Sequence, residues 1–291
     1  MNQLSNISTL YLVHFLAILV FWVGSSFSAS LVNDQNQGSD TAHFVTWNYG
    51  DTTMGLYVPA SNGKKLPVVM FLHGCNNDPV SPELWIIKAL NDIEPCAVFI
   101  PTAPPDLHTE YPCADWGGTY DGSLRANMKK ALYAFDSLIN VYGFDTSRVY
   151  LYGESMGAEG VYRLLQDFPA RFAGSVVSSG YTVNKSADKM AKTPLWIFHS
   201  KTDEVIEVDN AQIIFESIKR AGGTMVHYTE YEDLSHSASI QKTRTEDSLL
   251  VWLFKQARLN SNIQEPIDKE NTFFSWTYKG AEMGLYLQVR C

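Results

Sequence analysis

Between residues 66 and 258, short apolar runs alternate with amphipathic segments of helical period, and this alternation limits the possible folds more than any single motif. The runs are "LPVVMFL" (66–72), "CAVFI" (96–100), "VYLY" (149–152), "AGSVVSS" (173–179), "PLWIFH" (194–199) and "MVHYTEY" (225–231). Each has the length and the β-branched or aromatic content of a buried strand. Between them, Leu124, Met128, Ala131, Leu132, Phe135, Leu138 and Ile139 mark one face of a long helix. Val161, Leu164, Leu165 and Phe168 mark a second helix, stopped by Pro169. "NAQIIFESIKRA" (210–221) predicts a third, ended by Gly222-Gly223, and "SLLVWLFKQAR" (248–258) a closing one. The expected class is α/β, with a mostly parallel central sheet and helices on both faces. Functional residues then belong where strands end and loops begin. "FVTWNYGDTTMGLYVPA" (44–60), ahead of this region, reads as paired outer strands.

One strand-to-helix junction carries chemistry. "RVYLYGESMGAEG" (148–160) holds Gly153-Glu154-Ser155-Met156-Gly157, a G-x-S-x-G pattern with a strand before it and a helix after it. The two glycines permit the sharp turn that lifts a hydroxyl out of the sheet. A hydroxyl is a poor nucleophile at neutral pH, so Ser155 needs a base and the base needs an orienting carboxylate. In hydrolases with this junction, acid and base follow the serine in the chain. Three histidines do so: His199 ends a strand, His227 lies inside one, and His236 falls in "YEDLSHSAS", between a strand and the closing helix. His236 is therefore the expected base. "FHSKTDEVIEVDN" (198–210) offers the acid, and Asp203, four residues past the strand end, is expected to supply it. Asp209 is expected to cap the next helix, with Glu204 and Glu207 solvated. The oxyanion of an acyl-transfer intermediate needs N–H donors. The expected ones are Met156, directly after the serine, and Cys75 in "LHGCNND" (72–78), where Gly74 allows a tight backbone and His73 braces the loop.

These stretches, with "YGFDTSRVYLYGESMGAEGVYRLLQDFPARFAGSVVSSG", "TPLWIFHSKTDEVIEVDNAQIIFESIKRAGGTMVHYTEY" and "LSHSAS", resemble secreted esterases of the α/β-hydrolase superfamily. The relatives in question are feruloyl esterases, acetylxylan esterases and polyhydroxybutyrate depolymerases, close to prolyl-oligopeptidase-like hydrolases. The resemblance covers about residues 60–258. It implies an α/β-hydrolase fold and an esterase using Ser155, Asp203 and His236 as nucleophile, acid and base, with Cys75 and Met156 at the oxyanion hole and no metal or cofactor. Feruloyl or acetyl esters on plant cell-wall polysaccharide are the implied substrates. A prolyl-oligopeptidase-type peptidase, a polyhydroxyalkanoate depolymerase and a non-catalytic binding module are the alternatives. Relatives place glycine before the histidine, where this chain has Ser235, and "HG" where it has His199-Ser200.

Trp85, Tyr111, Trp116, Tyr120 and Tyr181 lie in segments expected to overhang the site. Trp116 and Tyr181 are the candidate substrate contacts, Trp116 by stacking on a sugar or phenolic ring. Cys75, Cys96, Cys113 and Cys291 allow three pairings; a Cys75–Cys113 bond would tie the Trp116 segment over the oxyanion loop. No C-x-x-C or His/Cys cluster has zinc spacing.

A net charge of −9 opposes binding to nucleic acid or to an anionic membrane. Residues 1–30 contain no Lys, Arg, Asp or Glu, and "TLYLVHFLAILVFWVG" (9–24) followed by "SSFSAS" reads as a signal peptide cut after Ser28 or Ser30. The product is expected to be secreted, extracellular or periplasmic, and Asn184-Lys185-Ser186 is a glycosylation acceptor pattern. After this signal come a leader (31–42), the catalytic domain (43–258) and a polar linker (259–272). Segment 273–291 closes the chain. Its "FFSWTYKGAEMGLY" (273–286) repeats "FVTWNYGDTTMGLY" (44–57) at Phe, Trp, Tyr, Met, Gly, Leu and Tyr without a gap, as a truncated second repeat or a cap on a sheet edge would.

Overall fold

The computed structural model describes residues 41–49, 52–75, 80–103, 116, 126–182 and 186–258, and the backbone of 272–278 and 281–287. The expected signal peptide, nearly all of the leader and linker, Tyr111, Tyr120, Cys113, Cys291 and Asn184-Lys185 lie outside the described residues.

The strands are β1 (His43–Tyr49), β2 (Thr52–Val58), β3 (Val68–Leu72), β4 (Ala97–Pro101), β5 (Val149–Glu154), β6 (Gly174–Ser178), β7 (Leu195–Ser200) and β8 (Val226–Tyr231). They form one sheet in the order β1-β2-β4-β3-β5-β6-β7-β8. β1 and β2 pair as an antiparallel hairpin and β2 pairs antiparallel with β4. From β4 through β8 every neighbour is parallel. After β3 the chain crosses to β4 on one side and then to β5 on the other, so the order reverses at β3. Ligand sites in open α/β sheets form at such a reversal, outside the carboxyl ends of the strands.

Alternation along β3 shows how both faces are filled. Val68, Met70 and Leu72 point into one core and Val69 and Phe71 into the other. The first core is closed by α2 (Ala126–Tyr142), α3 (Met156–Asp167), α4 (Ala187–Met190) and α5 (Asp209–Arg220), through residues such as Phe135, Leu164, Met190 and Ile214. The second is closed by α1 (Trp85–Asn91) and α7 (Leu249–Phe254), through Ile86, Leu90, Leu250 and Leu253. Each such side chain contributes about 1.5–3 kcal/mol on burial.

A further helix, α6 (His236–Arg244), had no apolar period to announce it, because its buried residues are His236, Ser239 and Thr243. Asp209 is the first residue of α5 and makes no side-chain cap; Val208 occupies the cap position. The tail forms a hairpin of β9 (Thr272–Tyr278) and β10 (Ala281–Leu287), with β9 in contact with β1. Its pairs Phe273↔Tyr286, Ser275↔Gly284 and Trp276↔Met283 reproduce Phe44↔Tyr57, Thr46↔Gly55 and Trp47↔Met54. The likeness of the two segments thus extends to strand register.

Candidate active site

Ser155 sits between β5 and α3 with φ 51° and ψ −119°, a backbone conformation that non-glycine residues rarely adopt. Its N–H donates to the carbonyl of Ser178 on β6 at 2.8 Å, which holds the turn against the sheet. The flanking glycines are required by space. A Cβ on Gly157 would lie 1.9 Å from the carbonyl oxygen of Leu72, and one on Gly153 would lie 2.3 Å from that of Gly157. Helix α3 can therefore press onto the end of β3 only with glycine there.

His236 opens α6, and its ring joins two residues that are far away in the chain. Nδ1 lies 2.8 Å from Oδ2 and 3.0 Å from Oδ1 of Asp203. A carboxylate only accepts, so Nδ1 carries the proton and Nε2 is left as an acceptor. Nε2 lies 2.9 Å from Ser155 Oγ, whose hydroxyl donates to it. The result is a continuous chain, carboxylate to imidazole to hydroxyl, able to draw a proton from the serine.

Asp203 is buried, and burial by itself would raise its pKa. Hydrogen bonds from His199, from His236 and from the N–H groups of Ile206 and Val205 outweigh that and hold the carboxyl below the ordinary carboxylate range. His199 Nε2 lies 2.8 Å from the carbonyl oxygen of Ile206 and 3.3 Å from Asp203 Oδ2. His199 was read only as ending a strand, yet it touches the buried acid, and its Nδ1 has no partner among the described residues. No local pattern signals this contact.

The loop after β3 reaches the serine. A Cβ on Gly74 would lie 3.4 Å from Ser155 Cβ, which puts Gly74 against the serine, with Cys75 next in the chain. His73 braces this loop as expected. Its Nε2 accepts from the Ala103 N–H at 3.0 Å, so Nδ1–H is the donor to the carbonyl of Gly74 at 2.6 Å. Met156 begins α3, so its N–H is in the first turn, where a helix supplies no carbonyl partner. Cys75 is disulfide-bonded and Cys96 is a free, buried thiol.

The sequence pattern of the phospholipase/carboxylesterase family matches residues 55–247, more than half of the chain, and spans every residue of this arrangement. The chain belongs to that family. Its fold is the α/β-hydrolase fold, as the solved structures of related shape agree. A thermostable esterase superposes with a TM-score of 0.62 at 24% identity, over 75% of this chain and 64% of that one. An acetyl xylan esterase from Aspergillus awamori superposes with a TM-score of 0.56 at 15% identity, over 72% of this chain and 99% of its own. Among curated sequences, a bifunctional acetylxylan esterase/xylanase from Neocallimastix patriciarum is 26% identical over 160 residues, 54% of this chain and 22% of that protein. The chain thus spans under a quarter of that relative's length.

One expectation for this family member needs correction. Trp116 does not overhang the site: it is fully buried, donates its Nε1–H to the carbonyl of His73 at 3.1 Å and packs edge-on against the His73 ring. An indole enclosed beneath the loop after β3 has no free face for a sugar or phenolic ring. Glu204 is exposed, as expected, and also accepts a hydrogen bond from the His236 backbone N–H at 3.0 Å. Tyr181 is half-buried just past the end of β6. Trp85 is half-buried and packs against Phe71, Tyr152 and Arg244. His227 is exposed on edge strand β8 and packs against Trp196 and Trp252.

Proposed function

We propose that this chain is an exported serine esterase acting on carboxylic esters of a polymer, with acetyl or feruloyl groups on plant cell-wall polysaccharide as the substrate class. The observation that carries the reading is the unbroken hydrogen-bond chain Asp203–His236–Ser155. Ser155 Oγ attacks the ester carbonyl while His236 Nε2 takes its proton, and the N–H groups of Cys75 and Met156 receive the oxyanion. The imidazolium then gives that proton to the departing alcohol as the C–O bond breaks. Water repeats the sequence on the acyl-enzyme, releasing the acid and restoring the serine. Asp203, ionised far below neutral pH, holds Nδ1–H in place and stabilises the imidazolium. The polysaccharide ester is favoured by the acetylxylan esterase named among the relatives, and export by the apolar, uncharged start of the chain.

Ser155→Ala is expected to abolish nitrophenyl acetate hydrolysis, by at least about a thousandfold, with the circular dichroism spectrum unchanged. Parent-level turnover by that variant would refute the nucleophile. Release of acetate or ferulate from acetylated and feruloylated xylans, set against cleavage of a peptide anilide, assigns the substrate class. Turnover of the anilide alone would replace the esterase by a peptidase. A chain that a fluorophosphonate fails to label would be a binding module.

A further inference from the structure

His236 is the first residue of α6, and the first N–H groups of a helix have no carbonyl to bind. Two side chains fill that deficit. Ser235, at the cap with φ −63° and ψ 165°, accepts from the Ala238 N–H at 3.3 Å. Glu204 Oε2 accepts from the His236 N–H itself at 3.0 Å. A carboxylate at a helix N-terminus is also favoured by the partial positive charge there. Asp203 and Glu204 are consecutive, so one dipeptide grips the histidine twice: Asp203 by the ring and Glu204 by the backbone. The dipeptide is fixed in turn. Val205 and Ile206 donate their N–H groups to Asp203 Oδ1 at 3.0 and 2.9 Å, and His199 holds the Ile206 carbonyl.

The first turn of a helix is where it frays most easily; Ser200 and Thr202 hold Leu234, two residues earlier, but among the described residues the Glu204 bond is the one hydrogen bond from the His236 backbone to the acid loop. We propose that Glu204 is a positioning residue for the reaction, fixing the His236 backbone so that Nε2 stays in line with Ser155 Oγ. The proposal rests on the triad reading above. It places the first carboxylate after the catalytic acid in a role that the solvated position of a surface glutamate conceals.

The bond, more than the charge, sets the geometry, so Glu204→Gln, whose Oε1 still accepts, should keep kcat within about threefold of the parent. Glu204→Ala and Glu204→Leu should lower kcat for nitrophenyl acetate by about tenfold, the effect of misplacing a base by a fraction of an ångström. KM should stay within about twofold, and the rate of fluorophosphonate labelling should fall in step with kcat. Rescue by Gln, together with a loss confined to kcat, is not what a stability defect produces; melting temperatures of all three variants, measured alongside, separate the two. Parent-level kcat in Glu204→Ala, with Ser155→Ala inactive, overturns the proposal and leaves the triad standing. So does an equal loss in Glu204→Gln. Activity retained in Ser155→Ala would instead refute the triad reading on which the proposal rests.

Discussion

Glu154, the residue before Ser155, is bound through both carboxylate oxygens to Arg244, at the end of the helix that begins with His236. Arg244 Nε lies 2.8 Å from Oε1, its Nη2 meets Oε2, and the guanidinium stacks over the Trp85 ring at 4.8 Å. Glu154 is 2% exposed. Ser178 Oγ to Thr243 Oγ1 and Ser179 Oγ to Ser239 Oγ continue the same polar seam between α6 and the sheet. The helix that carries His236 is therefore held to the serine turn by charge and hydroxyls in place of an apolar stripe.

Breaking one half of that pair strands the other charge in the interior. Arg244→Met is expected to lower stability by about 3–5 kcal/mol, and Glu154→Gln by less, since a neutral amide can still accept from the guanidinium. The double replacement Glu154→Met/Arg244→Met should be more stable than Arg244→Met alone. Urea denaturation of the parent, Glu154→Met, Arg244→Met and the double replacement closes a double-mutant cycle and measures the coupling; additive losses would mean that the pair does not tie α6 to the turn.

The depressed pKa of Asp203 fixes a direction for acid sensitivity. A folded-state value below the unfolded one means that the carboxylate stabilises the fold above about pH 4, and that this contribution drains away as pH falls towards the folded value. Asp203→Asn cannot titrate. The stability difference, parent minus variant, should therefore be largest near neutral pH and shrink below about pH 4, as read from urea midpoints at pH 7, 4 and 3. At pH 7 the same variant should lose about three to four orders of magnitude in kcat, because the amide can present a donor to Nδ1 and favour the wrong tautomer. A difference independent of pH would show that Asp203 is not held as an anion by these bonds.

The cysteines should separate into one shielded thiol and one bridge near the site. Burial first, and then the Glu94 carboxylate, push the Cys96 thiol far above its ordinary value. Cys96 should therefore resist alkylation in the native protein and react only after denaturation. A non-reduced peptide map is expected to join Cys75 to Cys113, tying the oxyanion loop to the segment that leads to Trp116. A Cys75–Cys291 peptide would place the tail, and not that segment, over the loop.

The fold class and the members of the Asp203–His236–Ser155 hydrogen-bond chain were legible because each depends on a local pattern. Strand β3 is apolar along its whole length since both its faces are covered, and Ser155 announces itself by two glycines that no larger residue can replace. Asp203 stands in the loop after β7 and His236 begins the helix that follows the short loop after β8, which is all that chain order needs. The hairpin β9–β10 was legible for a related reason: residues that pair across a turn are close in sequence.

Trp116, Glu204, His199 and the Glu154–Arg244 pair were not legible in this way. An indole in a turn-rich segment reads as exposed until the histidine loop and the helix that enclose it are assembled. A glutamate beside an aspartate reads as solvated, and Glu204 is exposed, but the N–H it accepts belongs to the start of a helix 32 residues on. Helix α6 offered no apolar period because its buried face is hydroxyl and charge, which only partners on β5 and β6 make stable there. Period, glycine and chain order determined the strands, the helices with apolar faces and the three hydrogen-bonded side chains Ser155, Asp203 and His236, because those signals are written within a few residues. Which polar groups were buried, and against what, was decided by contacts between distant segments, because a hydrogen bond or an ion pair exists only once both partners have been brought together.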